Sequence, residues 1–194
     1  MSRDQWTPSV NEGQHDAYAA YRRGDYKAAL RIYVSRAEQG DVAAGVNAAG
    51  MYLGGLGTDV DIDRADLLLA RGVALRMPEA IYRQAYVSKL RGDASKFAEG
   101  LADAHRLGLL QATVALAACC LRGCGVPRDE SRFMLLLREA ASRGHIRARK
   151  MLARRVLMDV DGIGSVARGL SMLAAATVDA IILRIRAPDD ERLR

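Results

Sequence analysis

Five glycines recur along this chain at a nearly constant interval. Gly24, Gly57, Gly92, Gly125 and Gly162 lie 33, 35, 33 and 37 residues apart. Asp or another Gly brackets most of them, and an amphipathic stretch rich in small residues follows each. A period of this length belongs to one helix–turn–helix unit. Such a unit cannot bury its apolar stripe alone, so the units must stack on one another.

The unit is clearest from Leu121 to Ala148, LRGCGVPRDESRFMLLLREAASRGHIRA. A helix is predicted to end at Arg122, and Gly123 to Pro127 make a tight corner. Asp129 is placed to cap a second helix, whose Phe133, Leu136, Leu137, Ala140 and Ala141 share one face. Gly144 closes that helix. A shift of 68 residues puts Gly55 on Gly123, Gly57 on Gly125, Asp61 on Asp129, Leu67 on Leu135 and Ala80 on Ala148.

The remaining units follow the same pattern. Residues 1–11 are expected to be a disordered tail and 188–194 a frayed one. Between them, 12–187 reads as a single repeat domain, with repeats at about 12–40, 41–77, 78–108, 110–144 and 145–176. A capping helix over 178–187 closes the series. Helices are predicted over 11–23, 26–39, 42–54, 80–91 and 110–122. Asp61 or Asp63 caps the helix that carries Ala65, Leu68, Leu69 and Val73. Pro78 falls in the first turn of the next one, where its missing N–H costs little. A further second helix holds Phe97, Leu101, Ala104 and Leu107, and the fifth unit turns at Asp161–Gly162.

Composition agrees. Half the residues are hydrophobic, only 5% are aromatic, and there are four prolines. That mixture favours thin helical layers packed through Ala, Leu and Val over strands or a core of large rings. The net charge is +6, carried almost wholly by arginine. From Arg122 to Arg155, ten Arg and Lys stand against Asp129, Glu130 and Glu139, a local excess of seven. Such a patch favours acidic partners or acidic protein surfaces.

Several chemical readings fail on spacing. Asp59, Asp61, Asp63 and Asp66 suggest a calcium loop, but Arg64 stands where the turn needs Gly and Ala70 where the bidentate Glu belongs. Helix capping and dipole complementation explain these acids better. Cys119, Cys120 and Cys124 lack the paired spacing of a zinc site, and His105 and His145 do not complete one. Cys119 and Cys120 are expected as small core residues, with Cys124 exposed and oxidisable. No GxSxG, no HExxH and no Cys with an ordering His is present, and no phosphate-cradling glycine loop has its Lys–Ser/Thr. No cofactor, metal or catalytic residue is therefore expected.

The cysteines form no spaced framework, which argues against a disulfide-stapled secreted domain. The stretch MSRDQWTPSVNEG has no apolar core of a secretory signal. The most apolar run, 170–183, is short for a bilayer and carries Asp179. A cytoplasmic protein that binds neither membrane nor nucleic acid is expected; basic–aromatic alternation for base stacking is missing.

The corner Cys120-Leu121-Arg122-Gly123-Cys124-Gly125-Val126-Pro127-Arg128-Asp129 resembles the Sel-1-like repeat pattern LG-x-x-Y-x-x-G-x-G-V-x-x-D. The ending Ala140-Ala141-Ser142-Arg143-Gly144-His145-Ile146-Arg147-Ala148 is similar to that repeat's A-A-x-x-G-x-x-x-A. Gly50-Met51-Tyr52-Leu53-Gly54-Gly55-Leu56-Gly57 matches a second corner, and Tyr21 to Leu30 is nearer the tetratricopeptide form. Gly92 lacks its partner glycine, and 156–162 lacks a proper corner. The resemblance implies an all-α fold, a right-handed α/α superhelical solenoid of about five helix–turn–helix repeats. It also implies a scaffold that binds a protein or peptide in a concave groove, without catalytic machinery.

The best candidate for such binding is the helix beginning at Ile146. Ala148, Met151, Leu152 and Val156 would face inward, leaving Arg147, Lys150 and Arg154 together at i, i+3 and i+7. Arg143 precedes them. First helices of stacked pairs line the concave surface, which aims this ridge at the groove; a plain solvated helix face is the alternative. Tyr18, Tyr52 and Tyr82 also lie on first helices, where rings pack and a hydroxyl can reach the groove. An immunity or inhibitor protein that occludes a toxin enzyme is a second functional reading, and an enzyme a third. Ile181, Ile182, Leu183 and Ile185 leave self-association through the terminal helix open.

Overall fold

The computed structural model describes residues 15–158 and 169–179, with side chains in its ninth helix through Arg155. The described residues are helices and short connections, without a strand. In chain order the helices are α1 (His15–Arg22), α2 (Tyr26–Glu38), α3 (Val42–Gly54), α4 (Ile62–Ala74), α5 (Pro78–Leu90), α6 (Ala94–Arg106), α7 (Leu110–Arg122), α8 (Glu130–Ser142) and α9 (Ile146–Met158). A further helical segment covers 169–179. The expected fifth-unit corner at 161–162, residues 11–14 of the first helix, the tails and Ile181 to Ile185 lie outside the described residues.

The second helix of each of four repeats starts on an aspartate. Asp25, Asp61, Asp93 and Asp129 accept the backbone N–H of Ala28, Arg64, Lys96 and Arg132 at 2.8–3.1 Å. Each bond satisfies one of the donors that a helix start leaves open. Of the two acids that could cap α4, Asp61 is the one used. α5 begins at Pro78 itself, two residues earlier than its apolar spacing suggests, because Pro at the first helical position is already in helical φ.

The chain divides into two compact units near Leu109. In the first, each helix of α1–α6 packs on the next, and α3 also meets α5. α3 is enclosed by α2, α4 and α5, and eleven of its thirteen residues are buried. Small residues make this possible. A Cβ on Gly72 would sit 2.7 Å from that of Ala80, and one on Gly100 2.8 Å from that of Ala85. The corner glycine Gly57 (φ +77°) is tighter still, since a Cβ there would lie 2.5 Å from the Tyr26 carbonyl carbon at the start of α2. In the second unit, α7 packs on α8 and α8 on α9 around Leu116, Phe133, Leu137, Ala148 and Leu152.

Candidate functional site

α9 begins on a histidine. The His145 Nδ1 accepts the Ala148 N–H at 3.2 Å, so the imidazole takes the place of an N-cap side chain. The ring is 1% exposed. Burial first, and the Arg147 charge second, push its pKa down to about 4. This cap fixes the start of the helix and, with it, which way each arginine points. Ile146, Ala148, Leu152 and Ala153 turn inward, and Met151 is half-buried.

The five cations of α9 then separate into two sets. Arg149 donates through Nε to the Ala141 carbonyl at 3.2 Å, and through Nη1 to Asp179 of the 169–179 helix. Arg155 pairs with Glu130 at the start of α8. These two clip α9 to its neighbours within the unit. Arg147 and Arg154 are exposed and Lys150 half-buried. Among the described residues, no acid pairs with any of these three. Arg143, at the end of α8, lies 3.8 Å from Glu139. Arg147, Lys150 and Arg154 stand at i, i+3 and i+7 on α9, and the structure adds that Arg149 and Arg155 beside them are engaged elsewhere. Spacing alone could not have found the Arg149 and Arg155 partners, which lie 30 and 25 residues away.

The tyrosines sit differently. Tyr52 is 5% exposed, and its hydroxyl accepts Arg64 Nη1 at 3.3 Å while the guanidinium stands over its ring. Tyr82 is 8% exposed, its hydroxyl 3.2 Å from that of Tyr86, with the two rings edge to face. Both serve the packing of the first-helix layer. Tyr18 is half-buried. Near it, the fully buried Tyr33 phenol is raised by burial, then by Tyr18 and Tyr21, against the opposing charges of Arg83 and Arg36. Arg83 is itself buried in α5, a placement that its position in the sequence does not signal.

The acidic run is structural. Asp63 accepts Arg91 Nη2 at 2.8 Å, and Asp66 accepts both Arg91 and the Gln84 amide, the latter at 2.7 Å. Burial alone would raise the Asp66 carboxyl; the bonds from Gln84 and Arg91 outweigh it and hold the group low. These contacts tie α4 to α5. A depression of about 320 Å³ opens beside them, lined by apolar Val73, Ile81 and Ala85 and by charged Arg76, Lys96 and Asp103. Ser88 lines it, but its hydroxyl donates back to the Gln84 carbonyl (3.4 Å), the usual local bond of a helical serine. Among the described residues, no group of three or more His, Cys, Asp or Glu is placed to hold a metal. No described helix is long and apolar enough to cross a membrane.

No protein-family model and no curated protein matches the sequence. Solved structures do match in shape. A Sel1 repeat protein from Oxalobacter formigenes superposes with a TM-score of 0.65 at 19% identity, over 93% of this chain and 82% of that one. The protein c5321, a protective antigen present in uropathogenic Escherichia coli strains and displaying an SLR fold, superposes with a TM-score of 0.61 at 20% identity. That match covers 85% of this chain, which spans 38% of the length of c5321. Helix pairs capped by aspartate, glycine corners and these two superpositions lead to one assignment: the chain is a helical repeat protein with the all-α Sel1-like repeat fold.

Proposed function

We propose that this protein is a protein-interaction scaffold that takes an acidic or amphipathic partner segment against α9. The observation that carries the reading is the division of the α9 cations. Arg149 and Arg155 are engaged in holding the helix to its neighbours. Arg147, Lys150 and Arg154 share another face and have no acidic partner among the described residues. Three cations in a row on a well-anchored helix favour anionic side chains by charge complementarity and hasten encounter with them. A repeat fold suits the role, because stacked helix pairs present an extended surface. Arg143 extends the same end of the unit, though Glu139 shares its charge. Tyr52 and Tyr82 are too enclosed to add contact area, so recognition rests on the cations.

The test is charge reversal. The triple variant Arg147→Glu, Lys150→Glu, Arg154→Glu should fold as the parent does, since none of the three side chains is in the core. In a pull-down from native lysate read by mass spectrometry, it should lose the partner that the parent retains. With that partner in hand, affinity should fall roughly tenfold or more, at about 0.5–1 kcal/mol for each exposed charge contact. The salt dependence of binding should flatten. Equal affinity and equal salt dependence in parent and variant would remove the ridge from the interface.

A further inference from the structure

The corner between α7 and α8 repeats two backbone bonds of the corner between α3 and α4. The Cys124 N–H donates to the Cys119 carbonyl at 3.1 Å, as the Leu56 N–H donates to the Met51 carbonyl at 2.9 Å. The Asp129 N–H reaches the Cys120 carbonyl at 2.9 Å, as the Asp61 N–H reaches that of Tyr52 at 3.2 Å. A bond from an N–H to the carbonyl five residues earlier closes a Schellman-type helix end and brings the two side chains face to face. In the first corner those side chains are Met51 and Leu56, both buried in the core. In the second, both positions are cysteine. Gly123 (φ +69°) and Gly125 (φ +71°) turn the chain so that the fold-back is made without strain.

The two thiols lie within hydrogen-bonding reach of each other. Cys119 is buried, whereas Cys124 is only partly covered. Cys120 is next in sequence but a helix step of about 100° away. Its electrostatic neighbours are Asp129 and Arg132, at the start of α8.

We propose that Cys119 and Cys124 are an oxidation site, at which a peroxide converts the facing thiols into a disulfide across the C-terminal corner of α7. Cys124 reacts first because it is the thiol that solvent reaches. Its sulfur attacks one peroxide oxygen, the O–O bond breaks, Cys124 becomes a sulfenic acid and one water leaves. The Cys119 sulfur then displaces hydroxide from the Cys124 sulfur. The S–S bond forms, and the hydroxide leaves as water with the Cys119 proton. Two thiols give up two electrons, and the peroxide is reduced to two waters. Burial pushes the Cys119 thiol up to about 11, so it stays protonated and is not the thiol that peroxide oxidises first. The product closes with a covalent bond the two positions that Met51 and Leu56 occupy as buried apolar residues in the first corner.

The experiment uses the full chain, reduced and then exposed to hydrogen peroxide in native buffer. Remaining thiols are blocked with iodoacetamide in denaturant, and the protein is cut with trypsin. Arg122 lies between the two cysteines, so residues 107–122 and 123–128 leave as separate peptides unless sulfur joins them. The expected result is the joined pair, with two of the three thiols unavailable to iodoacetamide and both recovered after dithiothreitol. Cys120→Ser should keep the joined pair, and Cys124→Ser should abolish it. Recovery of Cys124 as an isolated sulfinic acid, or as a fully alkylatable thiol after peroxide, would overturn the site. So would a joined pair that disappears in Cys120→Ser, since Cys120 would then be the partner.

Discussion

His145 shows how one side chain couples the placement of α9 to pH. In the folded chain its Nδ1 must stay unprotonated to accept the Ala148 N–H. Its folded pKa of about 4 lies below the ordinary value of 6.5. The unfolded chain therefore takes up the proton first as pH falls. The stability that this residue contributes is fully present above pH 6.5, declines as the pH falls toward 4, and declines no further below that. A depression of this size corresponds to about 3 kcal/mol. The variant His145→Asn keeps a good N-cap acceptor and has no charge to gain. Urea denaturation from pH 7 to pH 4 should show a steeper loss of stability in the parent than in the variant. Parallel curves would mean that the imidazole does not carry the effect.

At the scale of elements, the same kind of glycine does different work in different corners. Gly24 and Gly57 both have positive φ, +81° and +77°. Open space surrounds a Cβ at Gly24, whereas one at Gly57 would collide with the backbone of Tyr26 and Lys27 at 2.5–2.8 Å. Gly24 serves the turn alone; Gly57 also lets the corner after α3 rest on the first residues of α2. Gly24→Ala should cost about 1 kcal/mol, the penalty of a left-handed Ala. Gly57→Ala should cost roughly 3 kcal/mol or more, because backbone must also move. Chemical denaturation of both variants measures the difference, and equal losses would show that the close approach carries no energy. The second helices α4 and α8 make a parallel point with leucines. Leu67 and Leu135 occupy matching positions and are 78% and 66% exposed, while Leu69 and Leu137, two residues on, are fully buried. Helical geometry turns i+2 to another face, so an apolar residue type does not by itself mark the core.

At the scale of the whole molecule, the division near Leu109 gives each unit a core of its own. Nearest-neighbour packing means that damage need not spread evenly along a repeat chain. Leu137→Ala, which empties a fully buried site in the second unit, should cost about 2–5 kcal/mol there. Native-state hydrogen exchange should then lose protection across 110–158 and largely retain it across 15–109. A uniform loss over both would mean that the two unfold as one.

The sequence by itself determined the repeat. The glycine period, the capping aspartates Asp61 and Asp129, and the stripes of α4 and α8 act within a few residues, and local geometry suffices to place them. It also brought Arg147, Lys150 and Arg154 to one face, because 3.6 residues per turn is a property of the chain alone. Only the tertiary structure decided which charges and hydroxyls were already engaged. Arg149 and Arg155 find Asp179 and Glu130 through packing that joins residues 25 or more apart. Tyr52 lies at core spacing on α3, and only the closing of α2, α4 and α5 around that helix decides that its hydroxyl meets Arg64 and not a groove. The cysteine pair lies between the two cases. Its five-residue separation is plain in the chain, but only the fold-back of the corner turns one thiol toward the other. Backbone torsions and helical period are short-range and can be read from neighbours, whereas burial and pairing depend on which distant surfaces meet.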